Sequence, residues 1–152
     1  MTNDVGFILF SIENNSFFNN LLPSIKQFID NNPYKQICIF NSYCSMINTS
    51  NIPILHIKQA KFFTGDIFVF DIIGLMLAKD FPNVTNKYWF TNNIPWQDTN
   101  LLYSEWEKLF NQPKLNIIAQ NQKLFDIFDI TWKTPVGIAE NVDYESLSKL
   151  IR

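Results

Sequence analysis

Glycine is scarce in this chain, at 4 of 152 residues. None of the four lies in a GxGxxG or P-loop pattern, so no glycine-rich loop is available to cradle a phosphate. The G-x-S-x-G elbow of α/β-hydrolases is absent as well. There is one histidine, His56, inside the apolar run "PILHIK". It reads as a structural strand residue ahead of a base or a metal ligand. The two cysteines, Cys38 and Cys44, fit no zinc or redox spacing. Cys38, within "ICIF", reads as core with no activating neighbour. A reduced, cytoplasmic setting is the simplest expectation. No metal and no cofactor are expected.

Charge is thin too. Asp, Glu, Lys and Arg make up 17% of the chain, against a typical ~25%. The formal net charge is −2 and the pI about 5.3. Binding a phosphate backbone needs a positive field, so a nucleic-acid partner is not expected. The most apolar stretch, "IFVFDIIGLMLA", contains Asp71 and is about half the ~20 residues a membrane span needs. The N-terminus "MTNDVGFILFSI" has no basic n-region, so neither a signal peptide nor a membrane span is expected.

What the chain does have is apolar and aromatic surface. Hydrophobic residues make up 47% and aromatics 16%, including 15 Phe. That suits a sheet covered on both faces, with further surface hidden under a partner. The length fits one domain, 1–152, able to bury a core.

The pattern alternates strand and helix. Val5–Ile12 is a continuous apolar run, as in a strand buried on both faces. Phe17, Phe18, Leu21, Leu22, Ile25, Phe28 and Ile29 then repeat at helical spacing. Pro23 lies inside that repeat and predicts a kink or a helix start. Strands are predicted at Ile37–Phe40, Pro53–Ile57, Ile67–Phe70, Tyr88–Thr91, Leu115–Ala119 and Val136–Ala139. "TGD" at Thr64–Asp66 reads as a turn. Helices are predicted over Ile72–Phe81, over Leu101–Asn111 with Asp98 or Thr99 as cap, and over Gln122–Ile130. A last short helix opens at Asp143. The expected fold is an open, doubly wound, Rossmann-like α/β sandwich with a parallel sheet of six or seven strands, the first near the centre.

In such sheets the ligand sits beyond the carboxyl ends of the strands. That rule nominates Ser11, Glu13 and Asn14 after the first strand, then Asn41 and Ser42 after the second. It adds Asp71, then Thr91, Asn92 and Asn93, and finally Gln120 and Asn121. Polar loops are equally what any surface connection shows. Trp96, in "NIPWQD", reads either as a stacking platform for a sugar or base or as a lid over the core. Asp66 and Asp71 offer a carboxylate pair, set against their reading as turn residue and helix cap.

The closing stretch "LNIIAQNQKLFDIFDITWKTPVGIAENVDYESL" resembles the end of the N-terminal domain of GT-B-type glycosyltransferases. The matching parts are Leu115–Ala119, Asn121, Leu124–Ile130, Val136–Ala139 and Asn141–Val142–Asp143. The glycine that the family carries between the last Asn and Val is missing. The resemblance implies an acceptor-side half whose donor half is a second domain. In the family the segment after the strand that matches "KYWF" often carries a His; Thr91–Asn92–Asn93 stands here instead, so no catalytic base is assigned.

Three functions follow as expectations. One is a glycosyltransferase-like half-enzyme that binds a sugar or nucleotide-sugar and needs a separate donor-binding protein or a second copy for transfer. Another is a module that binds a sugar or nucleotide without turnover. The third is an interaction protein that keeps the fold and lacks a working site.

Overall fold

The computed structural model describes residues 3–9, 16–42, 51–97 and 100–151. Along the chain come β1 (Val5–Leu9), α1 (Ser16–Asn31), β2 (Ile37–Asn41) and β3 (Ile54–His56). A 3-10 turn (Ile57–Phe62) leads to β4 (Asp66–Val69), α2 (Ile72–Ala78) and β5 (Asn86–Thr91). A second 3-10 turn (Pro95–Gln97) precedes α3 (Tyr103–Phe110), β6 (Leu115–Ala119), α4 (Gln122–Thr131), β7 (Gly137–Ile138) and α5 (Tyr144–Leu150).

The seven strands form one sheet in the order β3-β2-β1-β4-β5-β6-β7, and every pairing is parallel. β1 lies inside the sheet, between β2 and β4. The expected doubly wound, Rossmann-like α/β sheet is what the chain forms. Winding runs outward from β1 to β3, then returns to β4 and runs the other way. Right-handed crossovers in opposite directions put their helices on opposite faces. Accordingly α1, with Leu21, Ile25 and Phe28, covers one face together with Leu147 of α5. Leu75 of α2, Trp106 of α3 and Phe128 of α4 cover the other.

Side chains divide strictly along the strands. Val5, Phe7 and Leu9 enter the α1 core, and Ile8 the α2–α4 core. On the α1 side, Phe7, Phe68 and Tyr88 stack across three neighbouring strands, with centroids 5.3 Å apart at each step. Phe28 closes on Phe7 and Tyr144 edge-on.

Several boundaries differ from the sequence reading, each for a local reason. α1 already runs from Ser16, so the helix does not begin at Pro23 but includes it. Proline removes one donor there, and tertiary contacts hold the turn: the Ser24 hydroxyl donates to the Val142 carbonyl at 2.6 Å. Asp66 is not a turn residue; it opens β4 and is fully buried. Its carboxylate accepts from Asn86 Nδ2 at 2.8 Å and from Asn3 Nδ2 at 3.3 Å. β5 likewise begins two residues early, at Asn86. The continuation of the first strand to Ile12 and the caps Asp98 and Thr99 lie outside the described residues. α3 starts at Tyr103, and the Leu102 N–H donates to Glu105 Oε2 at 2.7 Å.

The central stack carries stability. Phe68→Ala should cost about 3–5 kcal/mol in denaturant unfolding; a loss under about 1 kcal/mol would show that Phe68 is not a centre of the core. Burial raises the Asp66 pKa above the ordinary carboxylate range, against the opposing amides of Asn86 and Asn3 and the charge of Lys35. A raised folded pKa contributes stability that is complete below the unfolded pKa of about 3.9 and is lost as pH rises through the folded value. The stability of the parent relative to Asp66→Asn should therefore fall as pH rises from about 4. A difference that grows over that range would contradict this account.

Candidate functional site

Because the sheet is wholly parallel, all seven strands deliver their following residues to one edge. Two cavities open there. The larger, about 430 Å³, lies on the α1 side. Its wall is built from Phe17 and Asn20 of α1, from Phe90 and Asn92 at the end of β5, and from Gln120 after β6. The segment Glu140–Asp143 between β7 and α5 completes it. The smaller, about 240 Å³, is lined by Phe70, Asp71 and Ile72 after β4 and by Trp89 to Asn93. Phe90 and Asn92 belong to both walls, so the two cavities are neighbours along one crevice edge. The larger cavity falls in the ~300–1,000 Å³ range of small-molecule sites.

The nominated residues divide into groups. Asn92 and Asn93 are exposed and line the crevice. Gln120 lines the larger cavity, with its Nε2 3.5 Å from the Glu140 carbonyl. Thr91 lines the smaller one, but it is buried and its hydroxyl donates to the Asn93 carbonyl at 2.8 Å. Asp71 borders the smaller cavity while capping α2, accepting from the Gly74 N–H at 2.6 Å.

Other nominated side chains are committed elsewhere. Asn121 caps α4, accepting from the Leu124 N–H at 3.0 Å. Asn41 stands at the end of β2, yet it is fully buried and its Nδ2 donates to the Leu9 carbonyl at 2.8 Å. Ser42 follows it, partly buried. Ser11, Glu13 and Asn14 lie outside the described residues.

Trp96 sits against the α2–α4 core and meets four rings. Phe128 is 5.2 Å away, Trp132 6.0 Å, Phe110 6.1 Å and Trp106 6.3 Å, all near edge-on. Of its two readings, the lid over the core matches this packing. The crevice walls described above do not include it.

The remaining chemical candidates are structural. Asp66 and Asp71 sit at opposite ends of β4, roughly 16 Å apart at a strand's ~3.3 Å rise. They do not pair. His56 ends β3 and caps the following 3-10 turn, its Nδ1 accepting from the Lys58 N–H at 3.1 Å. The Cys38 thiol is buried, and burial, aided by the charge of Asp4, pushes its pKa up to about 12. It stays a thiol at neutral pH and is no nucleophile. Among the described residues, no group of three or more His, Cys, Asp or Glu is arranged to hold a metal. Nor is any described helix long and apolar enough to cross a membrane.

Sequence reasoning missed Phe17, Asn20, Glu140 and Asp143. The first two reach the crevice from a helix, so the strand-end rule does not find them. Asp143 caps α5, accepting from the Ser146 N–H at 2.8 Å and from the Ser146 hydroxyl at 3.0 Å. Glu140 follows the short β7 and is exposed.

Compared with models of protein families, with curated proteins and with solved structures, the chain matches none of them.

The packing of Trp96 sets it apart from the crevice residues. Trp96→Ala should lose about 3–5 kcal/mol of stability, while Asn92→Ala should stay within about 0.5 kcal/mol of the parent. Equal, small effects in thermal unfolding would return Trp96 to the list of exposed platforms.

Proposed function

We propose that this chain is a glycosyltransferase-like domain, an acceptor-side half of GT-B type. It binds a sugar or nucleotide-type ligand in the strand-end crevice and needs a partner for any transfer. The observation that carries this reading is the pair of neighbouring cavities at the carboxyl edge, walled by carboxamides and phenylalanines. Open α/β sheets bind their ligands at that edge. The order of the closing elements also supports it: β6, the Asn121 cap, α4, the short β7, and Asn141–Val142–Asp143 leading into α5. Transfer requires two substrates held in line. The described crevice offers cavities for one side of such a reaction, and no residue pair in it forms a nucleophile–base arrangement.

A second reading, an interaction protein without a working site, has its own support. α2 has the sequence IIGLMLA, and while Leu75 and Ala78 face the core, Ile73, Met76 and Leu77 remain exposed. An apolar outer face of this kind fits a partner protein or a second copy.

Thermal unfolding with free sugars, nucleotides and nucleotide-sugars separates the two. A ligand that binds only the folded state stabilises it by about 2.7 kcal/mol at 100 times its Kd. The shift should vanish in Asn92→Trp, which sets a large ring into the wall that the two cavities share. The purified chain should show no transfer or nucleotide-sugar hydrolysis on its own. Turnover by a monomer would overturn the need for a partner. No shift with any ligand, together with self-association in solution, would favour the interaction protein.

A further inference from the structure

We infer that the larger cavity selects an uncharged polyhydroxylated ligand, a free sugar or a glycan end, and turns the phosphorylated form of the same ligand away. This rests on the strand-end ligand reading above and narrows it.

The wall carries the first argument. Four carboxamides, Asn20, Asn92, Gln120 and Asn141, stand beside two carboxylates, Glu140 and Asp143. Among the described residues, no Lys or Arg lines the cavity. Carboxamides donate and accept, and carboxylates accept. Such a set matches hydroxyl groups, each both donor and acceptor. Phe17 and Phe90 add apolar surface for the C–H faces of a sugar ring. A phosphate would meet two like charges and no countercharge.

The charge of the whole edge points the same way. Among the described residues, the segments that follow β2, β4, β5, β6 and β7 up to the next element contain Asp71, Glu140 and Asp143, and no Lys or Arg. Lys58 and Lys61 lie in the 3-10 turn beyond β3, an edge strand. Lys123, in the first turn of α4, is exposed and is not part of the cavity wall. A cleft lined by one sign of charge repels ligands of that sign.

Helix N-termini are the usual alternative for holding a phosphate without cations. Here Asp71, Asn121 and Asp143 each already accept one first-turn N–H, of α2, α4 and α5 in turn. Two of those caps are themselves negative.

The test is a titration of the ¹⁵N-labelled chain at low ionic strength. The probes are glucose, galactose and N-acetylglucosamine, each beside its 6-phosphate. The readout is the backbone and carboxamide signals of Asn20, Asn92, Gln120 and Asn141. At least one free sugar should shift these signals, and its phosphate should bind at least about tenfold more weakly. Glu140 is exposed, so Glu140→Lys should fold as the parent does and move the preference toward the phosphate. A phosphate that binds the parent as tightly as the free sugar, at the same signals, overturns the inference and leaves the strand-end reading standing. An unchanged preference in Glu140→Lys also overturns it. No shift at these residues with either class overturns both.

Discussion

A parallel sheet has to be buried on both faces, because its connections cross over it and leave neither side to water. That requirement shapes the rest of this molecule. It makes the middle of the inner strands apolar, with Phe7 of β1 facing one core and Ile8 the other. It needs small residues where the covering layers come closest. At Gly6 an added Cβ would stand 2.7 Å from the Phe40 ring, and at Gly74 2.9 Å from Val69 Cγ1. The few glycines of the chain are therefore spent on close packing. Because every strand runs the same way, one edge of the sheet receives all the strand ends. The crevice is a consequence of that direction before it is a consequence of any particular side chain.

The two cores use the aromatic residues differently. Facing α1, rings stack from strand to strand: Phe7, Phe68 and Tyr88 lie nearly parallel. Facing α2–α4, rings from loops and helices meet mostly edge-on around Trp96, Phe110 and Phe128. Trp89 links that group to the sheet, stacking on Phe110 at 5.5 Å. Much of the aromatic content is thus accounted for inside the fold. The composition alone does not require a covering partner. The apolar side chains left outside on α2 are aliphatic and methionine.

The fold was legible because its strands are apolar runs and its helices follow the 3.6-residue repeat. The misreadings fall where polar residues are buried by mutual hydrogen bonds. Asp66 and Asn86 satisfy each other at the start of neighbouring strands. In sequence each looks like the turn before a strand, since burial of a pair separated by 20 residues leaves no local sign. The site was legible as an edge and only partly as a set of side chains. Asn41 and Asn121 stand at the right edge, but their amides are used by the Leu9 carbonyl and the Leu124 N–H. Asn20 enters from α1, where an asparagine reads as ordinary helix surface.

The charge of the two edges follows from chain direction as well. At the carboxyl edge helices begin, and their first N–H groups need acceptors. Asp71, Asn121 and Asp143 supply them. At the opposite edge helices end and strands start, and free carbonyls need donors. Lysines supply them there: Lys114 Nζ donates to the Val84 carbonyl at 2.8 Å and Lys133 Nζ to the Leu115 carbonyl at 2.6 Å. Lys87, buried and with its pKa lowered first by burial and then by the charge of Lys114, donates to Gln112 Oε1 at 3.2 Å. Satisfying the backbone with acidic caps at one edge and lysines at the other gives the crevice its acceptor-rich, negative wall. A dinucleotide-binding sheet escapes that outcome by leaving the first helix's N–H groups uncapped in a glycine-rich turn. No such turn occurs in this sequence, and at three of the four helix starts whose caps are described, those of α2, α4 and α5, a side chain already accepts one first-turn N–H.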